Sequence, residues 1–115
     1  PAAGAQVEDG DVLVEIENLQ GSAQDDELFG DGDANVLWGM GGSDLLSGRD
    51  GHDRLHGGDG ADSLFGGDGD DTLDGGPDRA ADALTGGAGA DRFATRNPDL
   101  VLDLTPADGD TIVPP

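Results

Sequence analysis

A nine-residue phrase, Gly-x-x-x-x-Asp-x-Leu-x, repeats from Gly21 to Ala94 and is interrupted by only one short insertion. The copies span 21–29, 30–38, 39–47, 48–56, 57–65 and 66–74, followed by an eleven-residue copy at 75–85 and a last copy at 86–94. Every copy begins with Gly, seven of the eight carry Asp at position six, and all carry Leu or Phe at position eight. A short fixed period with three constant positions predicts a stacked repeat architecture.

Each copy predicts a turn followed by a very short strand. The chain contains 22 Gly and 22 Asp but only 4 Glu, and Gly and Asp both favour turns. Along the three strand residues, side chains alternate, so the residue at position eight points inward and its neighbours point outward. The sequence therefore predicts an all-β coil of parallel strands around a thin apolar ladder, formed by Leu28, Leu37, Leu46, Leu55, Leu64, Leu73, Leu84 and Phe93.

Composition excludes several classes of function. The chain lacks cysteine, which rules out disulfides and thiolate zinc sites. Its formal net charge of −21 argues against nucleic acid and anionic membrane partners and favours cations. No apolar run approaches the roughly 20 residues that a membrane span requires, so we expect no membrane insertion. The chain begins at Pro1 without a signal peptide, and we expect it to be a segment of a longer protein.

The same pattern predicts a requirement for metal. The ladder is too thin to compensate for the conformational entropy of so many ordered turns, and stacked carboxylates repel each other. Calcium accepts oxygen ligands in flexible geometry, whereas magnesium requires a stricter octahedron and zinc favours His or Cys. The candidate ligands are the position-six side chains of Asp26, Asn35, Asp44, Asp53, Asp62, Asp71, Asp82 and Asp91, and backbone groups at positions one and three of the turns: Gly39, Gly41, Gly48, Asp50, Gly57, Asp59, Gly66, Asp68, Gly86 and Ala88.

Three copies, GGDGADSLF (57–65), GGDGDDTLD (66–74) and GGAGADRFA (86–94), follow the pattern G-G-x-G-x-D-x-(apolar)-x throughout. Residues 21–94 thereby resemble the RTX, or hemolysin-type, calcium-binding repeat family. The resemblance implies a right-handed parallel β-roll with two copies per turn and calcium held between turns on the same edge. It also implies a secreted, extracellular bacterial protein, exported by type I secretion machinery and folded on contact with calcium.

With two copies per turn, copies two apart become neighbours, which gives two rows of candidate ligands. One row would contain Asp26, Asp44, Asp62 and Asp82, and the other Asn35, Asp53, Asp71 and Asp91. Adjacent members could hold up to six calcium ions, enough to lower the formal charge of −21 by more than half. We expect the best sites at Asp44/Asp62, Asp53/Asp71 and Asp71/Asp91. The Asn35/Asp53 pair lacks a carboxylate, the Asp26/Asp44 pair uses a degenerate turn, and the insertion around 77–81 should bulge and weaken or abolish the Asp62/Asp82 site.

The flanks predict terminal caps for the roll. We divide the chain into an N-terminal capping strand at 1–20, the repeats at 21–94 and a C-terminal cap at 95–115. Alternating apolar residues at 12–16 predict a strand, and a second strand is expected at 100–104, followed by a turn at Gly109. The C-terminal stretch is similar to the one that follows the roll in secreted serralysin-like proteins, with Leu104 in place of Phe.

Other patterns in the chain support different functions less well. The spacing of His52 and His56 resembles a zinc motif, but that motif requires a helix, so we expect surface histidines. The position-nine aromatic residues Phe29, Trp38 and Phe65 should face outward. They leave two alternatives: a glycan contact, and a function as the polysaccharide-binding module of a secreted enzyme such as an alginate epimerase. No catalytic group stands outside the repeat pattern, so this segment is not predicted to be an enzyme. A permanently disordered acidic tail is disfavoured by the three constant positions.

Overall fold

The computed structural model describes residues 5–6, 12–13, 18–78, 80–95, 100–101 and 109–113. These residues form short strands joined by turns, in the order β1 (Ala5–Gln6), β2 (Val12–Leu13), β3 (Asn18–Gln20), β4 (Glu27–Phe29), β5 (Val36–Trp38), β6 (Leu45–Ser47), β7 (Arg54–His56), β8 (Ser63–Phe65), β9 (Thr72–Asp74), β10 (Ala83–Thr85), β11 (Arg92–Ala94), β12 (Leu100–Val101) and β13 (Thr111–Val113). Each repeat contributes one strand at positions seven to nine, as predicted. The strands expected at 14–16 and 102–104 lie outside the described residues.

The strands alternate between two parallel sheets. One sheet has seven strands in the order β1-β3-β5-β7-β9-β11-β13, and the other has six in the order β12-β10-β8-β6-β4-β2. Leu37 pairs with Leu55 in the first sheet, and Leu46 pairs with Leu64 in the second. Because each strand pairs with the strand two copies away, two copies make one turn. This arrangement confirms the predicted parallel β-roll.

The apolar ladder fills the space between the two sheets. Every position-eight side chain from Leu28 to Phe93 is fully buried, and Leu19 extends the same cluster. The residues on either side of position eight face outward with partial or full exposure, as in β7, where Arg54 is exposed and Leu55 is buried. In the part of the chain that the structure describes, no helix is long and apolar enough to cross a membrane.

Strands from both flanks continue the sheets in register. Leu19 aligns with Leu37, Val101 with Leu84, and Ile112 with Phe93, so each occupies a position-eight place in the ladder. Ile112 is 51% exposed because it lies on the last strand of its sheet. The turn predicted at Gly109 is present, with φ of 98° at that glycine.

Position two of the turn shows why the repeat uses glycine. Gly58 and Gly67 have φ values of 93° and 98°, a left-handed conformation that L side chains rarely adopt. A side chain on Gly58 would also collide with the Met40 carbonyl of the preceding turn. Met40 and Arg49 nevertheless occupy this position with φ values of 79° and 70°. These two copies therefore retain the turn with a strained backbone.

Candidate metal sites

The turns stack along two edges of the roll, which we call edge A and edge B. Edge A contains the turns 21–26, 39–44, 57–62 and 75–82, and edge B contains 30–35, 48–53, 66–71 and 86–91. On edge A the backbone N–H groups of Asp26, Asp44 and Asp62 each donate to Oδ1 of the position-six Asp in the next turn, over 2.7–2.8 Å. The structure therefore brings the predicted row of Asp26, Asp44, Asp62 and Asp82 together.

Edge B repeats this arrangement. The N–H groups of Asn35, Asp53 and Asp71 donate to Oδ1 of Asp53, Asp71 and Asp91 respectively, over 2.7–2.9 Å. The row then continues beyond the repeats, because the Asp91 N–H donates to Oδ1 of Asp110 over 2.9 Å. Asp110 is only 5% exposed and directly precedes β13.

Asp110 is a candidate site residue that the sequence interpretation missed. The signal that could have identified it is the stretch Gly109-Asp110-Thr111-Ile112. Here an Asp stands two residues before an apolar residue, which is the spacing between positions six and eight of the repeat. The remainder of that turn does not follow the repeat, so a search for whole copies ends at residue 94.

The position-six carboxylates are buried, and in several of them one oxygen has no hydrogen-bond partner. The residues Asp44, Asp53, Asp62 and Asp71 are 1–3% exposed. In each, Oδ1 accepts the N–H described above, whereas Oδ2 is buried without a hydrogen bond. A buried carboxylate with an unsatisfied oxygen is costly, so these four atoms are positions where a cation would be stabilising.

Burial also changes the proton affinity of these groups. Loss of solvation is the largest cause and raises the pKa of Asp44 and Asp53 to about 7 and that of Asp62 and Asp71 to about 8. The accepted backbone hydrogen bonds oppose this effect, and the charges of neighbouring acids add to it. Without a positive partner, these carboxylates hold protons near neutral pH.

The position-one glycines bring a carbonyl group close to each carboxylate. A Cβ on Gly39 would lie 2.5 Å from Oδ2 of Asp44 and 2.6 Å from the carbonyl oxygen of Gly57. A Cβ on Gly57 would lie 2.5 Å from Oδ2 of Asp62 and 2.7 Å from the carbonyl oxygen of Gly75. Glycine therefore permits a carboxylate oxygen and a carbonyl of the next turn to converge. Oxygen atoms of these two types fit calcium, which binds carboxylates and backbone carbonyls in flexible geometry.

The predicted backbone ligands separate into two groups. The position-one glycines, Gly39, Gly48, Gly57, Gly66 and Gly86, are buried beside the rows, whereas the position-three residues Asp50, Asp59, Asp68 and Ala88 are exposed and Gly41 is half-buried. On edge B the carbonyls of Gly86 and Ala88 accept hydrogen bonds from the N–H groups of Gly67 and Gly69, each at 3.0 Å. Within the described ranges, no three Asp, Glu, His or Cys side chains gather as a metal cluster. The ligands available to an ion on either edge include the carbonyls of the buried position-one glycines.

The insertion leaves the edge A row continuous. We expected the eleven-residue copy to bulge and to weaken or abolish the Asp62/Asp82 site, yet β10 keeps its register with β8, with Leu84 opposite Leu64. The Asp62 N–H also donates to Oδ1 of Asp82 over 2.8 Å, as at the other pairs. The two extra residues therefore lie between Gly75 and Asp82 without shifting the strand that follows.

The two histidines are not on a helix and do not form a pair. His52 lies in an edge B turn, where its Nδ1 accepts the N–H of Asp70 over 2.9 Å. His56 lies on β7, where it stacks on Trp38 with ring centroids 6.0 Å apart and has its Nδ1 3.8 Å from Oδ2 of Asp74. Burial lowers the pKa of His56, and Asp74 opposes that change. Both histidines have structural contacts that account for their positions.

Comparison with protein families supports the same interpretation. The RTX calcium-binding nonapeptide repeat matches the chain in four copies, over residues 15–46, 47–79 and 78–95. Neither the curated proteins nor the solved structures gave a significant match.

Proposed function

Starting from the premise that the chain belongs to the RTX calcium-binding nonapeptide repeat family, we propose that it folds when it binds calcium. The β-roll is a structural calcium-binding module and not an enzyme. Calcium-dependent folding would make the folded fraction of the chain depend on the surrounding calcium concentration. The observation that carries this proposal is the pair of stacked rows in which buried carboxylates have an unsatisfied oxygen.

Two kinds of residue would hold the ions. The position-six carboxylates supply the charge, with Asp44, Asp62, Asp53 and Asp71 as the central members, and the buried position-one carbonyls supply neutral oxygens. Bound calcium contributes positive charge between turns. The chain itself fixes the spacing of the carboxylates, because each Oδ1 is anchored by an N–H of the preceding turn. Several ions, up to about six by the number of adjacent pairs in the repeats, would fit this arrangement.

The energetic basis is linkage between binding and folding. The rows exist only in the rolled chain, so calcium binds the folded state and its binding free energy adds to stability. In the absence of calcium, self-repulsion within a chain of charge −21 and desolvation of the buried carboxylates both oppose rolling. The narrow leucine ladder opposes these effects with limited apolar area.

This linkage suggests a role in export. A chain that remains unrolled at low calcium and folds at high calcium suits passage through type I secretion machinery followed by folding outside a bacterial cell. We therefore propose an extracellular location and a larger secreted parent protein for which the roll provides calcium-dependent folding. The lack of cysteine is compatible with this use, because metal ions replace disulfides as stabilising elements.

A polysaccharide-binding function is not favoured by the placement of the aromatic residues. Trp38 projects from the seven-stranded sheet, whereas Phe29 and Phe65 belong to β4 and β8 of the six-stranded sheet. The three rings therefore do not form one stripe along a single sheet, which a sugar chain would need for successive stacking contacts.

A calcium titration followed by far-UV circular dichroism tests the proposed function. We expect a cooperative change from coil to β structure with calcium, reversed by a chelator and not produced by magnesium. The variant Asp53→Asn should shift the midpoint to higher calcium, whereas Asp33→Asn, which removes an exposed acid on the same edge, should leave it nearly unchanged. A β spectrum that persists in chelator, or equal shifts for the two variants, would contradict calcium-dependent folding through the rows.

A further inference from the structure

The seven-stranded sheet carries two arginines on its outer face. Arg54 and Arg92 occupy position seven of β7 and β11, and both are exposed. Both align with Thr72 on the intervening strand β9, so the two arginines are two strands apart. Because neighbouring strands are about 4.8 Å apart, the Cα atoms of the two arginines are separated by about 9.6 Å. The half-buried Thr72 lies midway between them.

Acids of the same face do not neutralise these arginines. The outward residues of β3, β5, β7, β9 and β11 include one acid, Asp74, whose Oδ2 lies 3.8 Å from Nδ1 of His56. Neither Arg54 nor Arg92 forms an ion pair with a described residue. In the other sheet, the outward residues of β4, β6, β8 and β10 include no cation. In a chain of formal charge −21, a face with two such guanidinium groups indicates a surface for carboxylates or other anions.

Exposed acids on edge B repeat with the same spacing. Asp33, Asp50 and Asp70 are exposed and belong to three consecutive turns of that edge. Hydrogen bonds between the position-six residues stack these turns one strand spacing apart. Asp33 and Asp70 therefore lie two turns apart, which is about 9.6 Å along the axis of the roll. One stacking period thus sets the spacing of both the arginines and the acids.

We propose that the outer face of the seven-stranded sheet binds edge B of a second copy of this chain. With two rolls side by side and their axes parallel, the acids of the first and third turns of edge B lie opposite Arg54 and Arg92. The acid of the middle turn lies opposite Thr72, whose hydroxyl can donate a hydrogen bond to it. A planar guanidinium group matches a carboxylate through two parallel hydrogen bonds. The fit follows from the shared period, so a partner with the same repeat satisfies it at both arginines.

The contact is heterologous, because the two copies use different surfaces, and such contacts produce open assemblies unless the rotation closes a ring. The face spans six strand spacings, about 29 Å, with only two outward residues on each strand. So small an area places the contact in the weak class, in which charge pairing selects the partner. The inference requires a folded roll and in that respect rests on the proposed function, since bound calcium also reduces repulsion between copies of charge −21.

The test compares two double variants of the full chain that change the net charge in opposite directions. Arg54→Gln/Arg92→Gln removes the cations from the sheet face, and Asp33→Asn/Asp70→Asn removes acids from edge B. Asp70 accepts the N–H of Ala90 over 2.8 Å, and the amide oxygen of the substituted side chain can still accept it. Circular dichroism at saturating calcium verifies that each variant is folded. Sedimentation equilibrium at increasing protein concentration then measures self-association.

We expect each double variant to self-associate about tenfold more weakly than the wild type. Removing acids reduces the repulsion between copies, so net charge alone predicts the opposite result for Asp33→Asn/Asp70→Asn. An equimolar mixture of the two variants should form a one-to-one pair and no larger assembly, because it retains one intact face and one intact edge.

A folded wild-type chain that stays monomeric, an acid-to-amide variant that associates more strongly, or a mixture that does not pair would overturn this inference alone. If the folded wild type is monomeric but binds polygalacturonate through Arg54 and Arg92, the face recognises a polyanion and a second copy is the wrong partner. A chain that does not fold with calcium would overturn the proposed function, and the sheet face with it.

Discussion

Acidification should promote folding of the roll in the absence of calcium. The four central carboxylates, Asp44, Asp53, Asp62 and Asp71, have an ordinary pKa of 3.8, and burial in the roll raises it to about 7 or about 8. The unfolded chain therefore holds fewer protons on these groups than the roll does between about pH 4 and pH 8. Protons stabilise the state that binds more of them, so the contribution of these groups to the stability of the calcium-free roll is greatest below about pH 4 and is lost as the pH rises through 7 to 8.

The magnitude follows from the size of the pKa changes. One pKa unit corresponds to about 1.4 kcal/mol, so moving from about pH 8 to about pH 5 favours the roll by about 2.5 to 3.5 kcal/mol for each carboxylate. Four independent groups would contribute roughly 12 kcal/mol. This sum is an upper bound, because protonating one carboxylate removes a charge that raises the pKa of the next one in its row.

The assay is far-UV circular dichroism from about pH 8 to about pH 5 in excess chelator, with sedimentation to confirm that the chain stays monomeric as the pH approaches its pI of about 4.1. We expect the β signal to increase as the pH falls. Under the same conditions the variant Asp62→Asn, which is neutral at every pH, should retain more β structure at the alkaline end than the wild type. An unchanged spectrum across this range would refute the argument that desolvated carboxylates oppose folding.

Four other substitutions test the ladder, the turns and the rows. Leu55→Ala, at the buried centre of the ladder, should lower the free energy of unfolding of the calcium-loaded roll by about 3 kcal/mol. Ile112→Ala, at the half-exposed end, should lower it by less than about 1 kcal/mol. Equal losses in urea unfolding would contradict the ladder model. Met40→Gly should raise the unfolding free energy by about 1 kcal/mol, because it removes left-handed strain at a non-glycine residue, and a lower urea midpoint would contradict that reason. Asn35→Asp should strengthen calcium binding next to Asp53 by about tenfold, which competition with a chelator measures; an unchanged affinity would argue against a site at that pair.

The period of the sequence predicted most of the fold. Position eight predicted the buried ladder. The two copies per turn that the family resemblance implies predicted that Asp44 would lie beside Asp62 and not beside Asp53. Both features depend on geometry that repeats identically in every copy. The same regularity makes the position of each strand in the repeats predictable.

The features that sequence alone did not predict depend on departures from that period. Asp110 belongs to a partial copy in which only the last residues follow the pattern. Its place in the edge B row depends on the pairing of β13 with β11, which the sequence pattern does not predict. The insertion was expected to disturb edge A, because two extra residues could displace either the row or the loop. Packing decides between these outcomes, because shifting the strand would remove Leu84 from the ladder, whereas lengthening the turn costs little.

If calcium binds between the turns as we propose, the arrangement of the rows predicts that its binding is cooperative. Each internal carboxylate contacts two turns: Oδ1 of Asp62 accepts the N–H of Asp44 in the preceding turn, while its Oδ2 lies beside the carbonyl of Gly75 in the following turn. When a turn becomes ordered, its position-six carboxylate therefore places one oxygen beside the preceding turn and the other beside the following turn. In a stack with only nearest-neighbour contacts, stability depends on the interfaces between adjacent units. An ion bound in the middle of a row then favours binding on both sides, whereas an ion at an end favours only one, and calcium-driven folding should proceed outward from the central turns.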